Sequence, residues 1–246
     1  MRPILFEIAG FPIYSYGVMI FFAFLLGIYL AQRQAPKEGF QKDHVYDVAI
    51  MTIILALIGA RLAYVILNWE HFAQNPGEIL AVRRGGLTFY GGFIAPLIGG
   101  FFYARIKRIS MLKFLDFISP YIALGYGITR IGCFLNGCCY GVPTDSFLGV
   151  VFPAVDNISR HPTQLYSVIA MLIVFFVLVF MRRKKRPRGV VFFSFILFYG
   201  VYRFLVEFFR VPQPGYWGLT LAQNIALPVI LLAFIFIIFK RVGKQN

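Results

Sequence analysis

Residues 163–181 read TQLYSVIAMLIVFFVLVFM, and residues 182–188, directly after them, read RRKKRPR. The first stretch carries no Asp, Glu, Lys or Arg. As a helix rising about 1.5 Å per residue it is long enough to cross a hydrocarbon core of roughly 30 Å. The second stretch is a dense basic cluster of the kind that collects on the cytoplasmic side of a span. Together they predict a transmembrane helix with its C-terminal end in the cytoplasm.

The same alternation runs outward in both directions. Apolar runs predict helices near 13–31, 46–67, 89–105, 112–135, 163–181, 190–209 and 219–239. The third is short and glycine-rich, so it is expected to be tilted, broken or re-entrant, as backbone buried against protein permits. Arg33, Lys37 and Lys42 follow the first span; Arg105, Lys107, Arg108 and Lys113 follow the third. Arg182 to Arg188 follow the fifth, and Lys240, Arg241 and Lys244 follow the seventh as a topogenic tail. The intervening loops hold only Arg2, Arg83, Arg84, Arg160 and Arg210. That bias places the N-terminus outside and the C-terminus in the cytoplasm, which requires an odd number of spans.

The expected fold class is therefore all-α: a polytopic integral membrane protein of about seven transmembrane helices. Residues 1–246 form a single transmembrane domain, with 68–88 and 136–162 as small extracytoplasmic arm or head segments. Composition agrees: 59% of the 246 residues are hydrophobic, 14% are charged, and mean hydropathy is +0.75. A soluble domain carries roughly a quarter charged residues. The net charge of +14 sits in short loops between spans, so no nucleic-acid partner is expected; the partner surface is the bilayer. The N-terminus has no basic region, short apolar core and cleavage site in succession, so the first run is expected to be a retained span. Cys133, Cys138 and Cys139 fall in one segment without the paired spacing of a structural zinc site.

Ionisable groups inside spans cost about 2.5–3.5 kcal/mol or more at the bilayer centre, so each needs a reason. Arg61, Arg130, Arg203 and Glu207 stand out. Arg203 and Glu207, four residues apart on one helix face, form either a structural ion pair or a held cation. Arg61 follows Gly59 and Ala60, which permit close helix contact; it is either a site residue or a snorkelling arginine. Arg130 lies among small residues and the amide of Asn136; it has two readings, a bidentate grip on phosphate and a purely structural role. Gly91, Ala95 and Gly99 have small-xxx-small spacing, which is first a packing signal. His161, before Pro162, has three readings: helix cap, polariser of a substrate, or surface residue.

Six segments in order give the chain a resemblance to the prolipoprotein diacylglyceryl transferase family. They are Tyr14-Ser15-Tyr16-Gly17, Gly59-Ala60-Arg61, Phe89-Tyr90-Gly91-Gly92, Arg130 to Gly141, His161-Pro162-Thr163-Gln164-Leu165-Tyr166, and Tyr199 to Arg210. The family signature reads Gly-Arg-x-Gly-Asn-Phe-x-Asn-x-Glu with a later Gly, and Arg130, Gly132, Phe134, Asn136 and Gly141 match it. Thr129 stands for Gly, Cys133 for Asn and Cys138 for Glu, and Tyr90 stands where many members have His. These departures fit a divergent branch.

The resemblance implies transfer of diacylglyceryl from phosphatidylglycerol to the lipobox cysteine thiol of preprolipoproteins, in the bacterial cytoplasmic (inner) membrane, with release of glycerol phosphate. The partners it implies are phosphatidylglycerol and the signal peptides of preprolipoproteins; no metal or organic cofactor is implied. Arg130 and Arg203 would take the leaving phosphate, Glu207 would position Arg203, and Tyr90 would donate a hydrogen bond. Tyr16, Asn136 and Tyr199 would orient the head group, with Arg61, Gly141 and His161 also in the substrate-binding set. An anion transporter, or a lipid-binding paralogue without turnover, is the competing expectation.

Overall fold

The computed structural model describes residues 1–8, 10–81, 85–211 and 214–242. In chain order the elements are β1 (Ile4–Ile8), β2 (Phe11–Tyr14), α1 (Ser15–Gln34), α2 (Lys42–Leu67), α3 (Trp69–Gln74), α4 (Phe89–Ile106), α5 (Met111–Asn136), β3 (Val150–Val151), β4 (Ser159–Arg160), α6 (Thr163–Arg182), α7 (Val190–Val206) and α8 (Leu221–Val242). The seven long helices fall where the apolar runs place them. By length and composition α1, α2, α4, α6, α7 and α8 can cross a membrane. Helix α5 has the length, 26 residues, but carries Ser119, Tyr121, Tyr126, Thr129 and Arg130 among its apolar residues and is not in that set. The chain is a multi-pass, helical membrane protein. Arg83, Arg84 and Lys244, counted in the loop charges, lie outside the described residues, as does the side chain of Arg241.

The chain forms two compact units, 32–111 and the remainder. Within 32–111, α2 and α4 pack backbone to backbone. A Cβ on Gly91 would collide with the Gly59 carbonyl oxygen, and one on Gly59 with that of Gly91. Gly92 lies less tightly over Ala56 and Ala60, where a Cβ would stand 3.2 Å away, and a Cβ on Gly99 would collide with Leu55. Two apolar helices gain nothing from leaving lipid for each other except close packing, which small residues permit. The small-xxx-small reading of Gly91, Ala95 and Gly99 thus describes a packing face. Helix α4 runs unbroken from Phe89 to Ile106 through Pro96, which removes the broken form from the three expected for this segment. Replacing Gly91 by Leu is expected to cost about 1–3 kcal/mol through overpacking. Thermal unfolding in detergent measures it; an unchanged midpoint would refute the role assigned to that crossing.

In the second unit, α5, α6 and α7 share a core of Ala123, Met171, Val174, Leu178, Val190 and Phe195. Helix α8 joins through Phe193 stacked on Phe236 at 3.7 Å, and through Gly200 facing Ile230. Asp116 of α5 accepts hydrogen bonds from the Gly189 and Phe192 N–H groups at 2.6 and 2.8 Å. It therefore caps the first turn of α7, where unpaired N–H groups and the helix dipole favour an anion.

One element was not expected. Before α1, residues Ile4–Ile8 and Phe11–Tyr14 pair as an antiparallel hairpin, so the first helix begins at Ser15 rather than near residue 13. Gly10, at φ +81°, supplies the left-handed turn residue. The hairpin is tied down by Arg2 N–H to the Leu135 carbonyl (3.0 Å) and Ser15 N–H to that of Pro3 (2.8 Å).

Candidate active site

Helix α5 ends by a mechanism its sequence dictates. The Gly137 N–H donates to the Phe134 carbonyl, the Cys138 N–H to that of Cys133, both at 3.1 Å, and Gly137 has φ +73°. This is a Schellman cap, with glycine at the position that needs a left-handed backbone. It turns the chain back over the end of α5, so Arg130, Cys133, Asn136, Cys138 and Cys139 converge. Two side chains at the start of α6 fasten the turn: Thr163 Oγ1 donates to the Cys139 carbonyl (2.7 Å), and Gln164 Nε2 to that of Cys138 (2.6 Å). Gln164 Oε1 is buried and has no hydrogen-bond partner.

The chain then passes under a crossing of three strands. The Gly141 N–H donates to the His161 carbonyl (2.8 Å), and the Val142 N–H to that of Phe209 (3.0 Å). A Cβ on Gly141 would collide with the Phe209 carbonyl oxygen and lie 2.8 Å from His161 Cβ. Gly141 is therefore required by the crossing. The segment beyond it, up to Pro162, is held by the pairing of β3 with β4 and by Phe152, fully buried against Phe134 and Tyr140.

Arg130 lies 4.7 Å over the Tyr126 ring and donates an Nη2–H to the Tyr126 hydroxyl. Among the described residues it pairs with no carboxylate. Tyr126 meets Tyr199 edge to face at 5.4 Å, and the charges of Arg130 and Arg203 both act on the Tyr199 hydroxyl. Tyr202, next in the aromatic row at 6.1 Å from Tyr199, hydrogen-bonds Ser167. Glu207, 4% exposed, is ion-paired with Arg203 and sits 3.7 Å from the Arg210 Nε. Two guanidinium groups thus face one carboxylate, and Arg130, which with Arg203 acts on Tyr199, has no carboxylate of its own among the described residues; three cations are set against one anion.

Tyr16 on α1 is brought in by Gly132, where a Cβ would lie 3.2 Å from Tyr16 Cα. Its hydroxyl interacts electrostatically with Arg130 and with all three cysteines. Asn136 hydrogen-bonds the Cys138 thiol. Just outside the span, the Cys139 thiol is held below its ordinary pKa. The hydrogen bond from Cys133 does most of this, against burial; the Cys138 thiol and the charges of Arg130 and Arg210 add to it. His161 binds the Tyr166 hydroxyl at 2.9 Å through Nδ1 and packs on Phe209. It stands at one end of an apolar cavity of about 730 Å³ between α6 and α7, lined by Ile173, Val177, Phe198 and Leu205, with Tyr202 also on its wall.

Arg130, Arg203, Glu207, Tyr16, Asn136, Tyr199, Gly141 and His161 all belong to this unit. Tyr90 and Arg61 belong to the other. Tyr90 opens α4, 68% exposed, edge to face with Phe89. Arg61 has a different employment from the one expected. Its Nε donates to the Ile79 carbonyl, Nη1 to those of Gly85 and Gly86, and Nη2 to that of Glu78, at 2.6–3.0 Å. With Phe72 at 5.2 Å and Tyr64 at 5.8 Å over its plane, Arg61 clamps the loop after α3. That saturation speaks against a substrate contact, because four of its five N–H groups are already taken.

No site role was read from the sequence for Tyr126, Arg210, Ser167 or Gln164, although Arg210 and Gln164 lie in the segments that carry the family resemblance. Tyr126 and Arg210 were detectable: one lies four residues before Arg130 on the same helix face, the other three after Glu207. Gln164 was marked only by its place in a family segment, and Ser167 carried no such signal.

Residues 3–239 match the family model described as prolipoprotein diacylglyceryl transferase. The chain belongs to that family. Similar proteins include one from Clostridium tetani, 38% identical over 250 residues with both chains fully covered. Another, from Geobacter sulfurreducens, is 35% identical over 94% of this chain and 92% of its own. A third, from Bacillus cytotoxicus, is 35% identical over 97% and 92%. All three are named phosphatidylglycerol–prolipoprotein diacylglyceryl transferase.

Proposed function

We propose that this chain transfers the diacylglyceryl group of phosphatidylglycerol to the lipobox cysteine thiol of bacterial preprolipoproteins, releasing glycerol phosphate. The observation that carries the reading is a surplus of positive charge: Arg203 and Arg210 share the single carboxylate of Glu207, and Arg130, bonded to the Tyr126 hydroxyl, pairs with no carboxylate among the described residues. A phosphodiester is the anion that a lipid bilayer supplies. The names of the relatives point to the same reaction.

The nucleophile comes with the peptide. Its sulfur forms a bond to a glycerol carbon, the bond from that carbon to the phosphate oxygen breaks, and the thiol proton passes to solvent or a nearby acceptor. A thiol of pKa about 8.5 is lowered beside arginine, so no strong base is required. Charge grows on the departing phosphate, where preorganised cationic donors lower the barrier most. Arg130 and Arg203 bind that phosphate, with Glu207 fixing Arg203. Tyr16, Asn136 and Tyr199 orient the head group. Gly141 and His161 shape the wall, and the apolar cavity beside His161 takes an acyl chain.

Tyr90 is assigned a hydrogen bond to the reacting groups; a tyrosine of pKa about 10 is a poor base. Tyr90→Phe is expected to slow transfer several-fold, and a variant with the full rate removes Tyr90 from the mechanism. The chain acts as one transmembrane domain of seven spans in the bacterial cytoplasmic membrane, N-terminus outside, with 68–88 and 136–162 on the outer side. The test is transfer of labelled diacylglyceryl from phosphatidylglycerol to a lipobox peptide by purified protein. Product supports the reading; folded protein that yields none, across several lipids and peptides, overturns it.

A further inference from the structure

Three thiols converge at the end of α5, and the proposed transfer chemistry uses none of them. The Sγ atoms of Cys133, Cys138 and Cys139 all lie within 4.8 Å of one another, and no disulfide joins them. The convergence is built into the backbone. A Schellman cap folds the residue after its glycine back onto the residue four before that glycine; here those residues are Cys138 and Cys133, and the Cys138 thiol points back at the Cys133 carbonyl, 3.6 Å away. Cys139 follows in the left-handed region, φ +64°, a conformation that costs a side-chain-bearing residue energy and persists where the surroundings impose it. The hydrogen bonds from Thr163 and Gln164 fix both carbonyls of the turn.

We propose that Cys133, Cys138 and Cys139 form a binding site for a soft, thiophilic cation such as Zn(II), Cd(II) or Cu(I). Metal–sulfur bonds of about 2.3 Å put three sulfurs around one ion about 4 Å apart, so small side-chain rotations close the site. Thiolate sulfur selects such ions over hard cations. Charge favours it as well. Three thiolates around a divalent ion carry one net negative charge, and Arg130 and Arg210 both act electrostatically on Cys139. Binding releases the thiol protons to solvent, so affinity rises with pH. Cys133 is buried and the other two are half-buried, which leaves a way in. The ordinary alternative is that the thiols fill space as small apolar groups.

Cadmium is the probe. Purified, reduced protein in detergent is loaded with Cd(II), desalted, and examined for thiolate-to-cadmium absorption in the ultraviolet and for sulfur neighbours by X-ray absorption at the cadmium edge. One retained ion per chain with three sulfur neighbours is expected, and each of Cys133→Ser, Cys138→Ser and Cys139→Ser should lower affinity at least about tenfold. Fewer than three sulfurs around the ion in the wild type, or equal retention by the three variants, overturns the site. The wild-type spectrum decides even where a variant fails to fold. Because the readout is binding, failure here leaves the transferase reading untouched, and failure of the transfer assay leaves this site untouched.

Discussion

Arg130→Ala is expected to cut diacylglyceryl transfer by about 10²–10³-fold, the usual effect of removing one preorganised donor from developing negative charge. The helices should survive the change. Arg130 neutralises no acidic side chain among the described residues, and its protein hydrogen bond goes to the Tyr126 hydroxyl. Its removal therefore strands no buried charge. Arg130→Lys separates two contributions: it keeps the charge and loses the planar fork that matches two phosphate oxygens. An intermediate rate assigns value to both. The assay is the labelled-lipid transfer described above, with thermal unfolding run beside it. Wild-type rates from a folded Arg130→Ala protein would remove Arg130 from the phosphate site.

Glu207→Ala should act through the fold. Glu207 is nearly inaccessible and serves two arginines at once. Its loss leaves two guanidinium groups facing each other without an intervening anion. Breaking a buried pair from one side costs about 3–5 kcal/mol, visible as a lower unfolding temperature and lower yield. Glu207→Gln keeps the shape and some hydrogen bonding, so it should lie between. Adding Arg210→Ala to Glu207→Ala removes the repulsion between the two guanidinium groups and should recover part of the loss, a coupling that a double-mutant cycle measures. Strict additivity would mean that the two residues do not share the interaction assigned here.

How much of this could be read from sequence depended on distance along the chain. Spans were legible because an apolar run and the basic cluster that ends it are both local. The packing of Gly91 and Gly99 was legible because small residues four apart share one helix face. Arg203–Glu207 was legible for the same reason. The hairpin before α1 was not: its strands are apolar almost throughout, so the alternation that marks a strand merges into the run that follows. Arg61 looked like a ligand for something anionic because the carbonyls that saturate it lie 17 to 25 residues away. The cysteines failed a search for paired zinc spacing because their proximity comes from a helix cap, which folds consecutive residues onto one spot. Nor does any sequence rule foretell that Gly141 sits under the Phe209 carbonyl.

The unbalanced arginines bear on what the protein is like at rest. Positive charge in excess of its carboxylate is held in this site at an energetic cost, and the surrounding sheet of lipid offers an anion at high local abundance. An anion held there would offset that cost. A ligand that binds only the folded chain stabilises it by mass action. On this view, the anionic lipid is at once what the protein consumes and what keeps it intact.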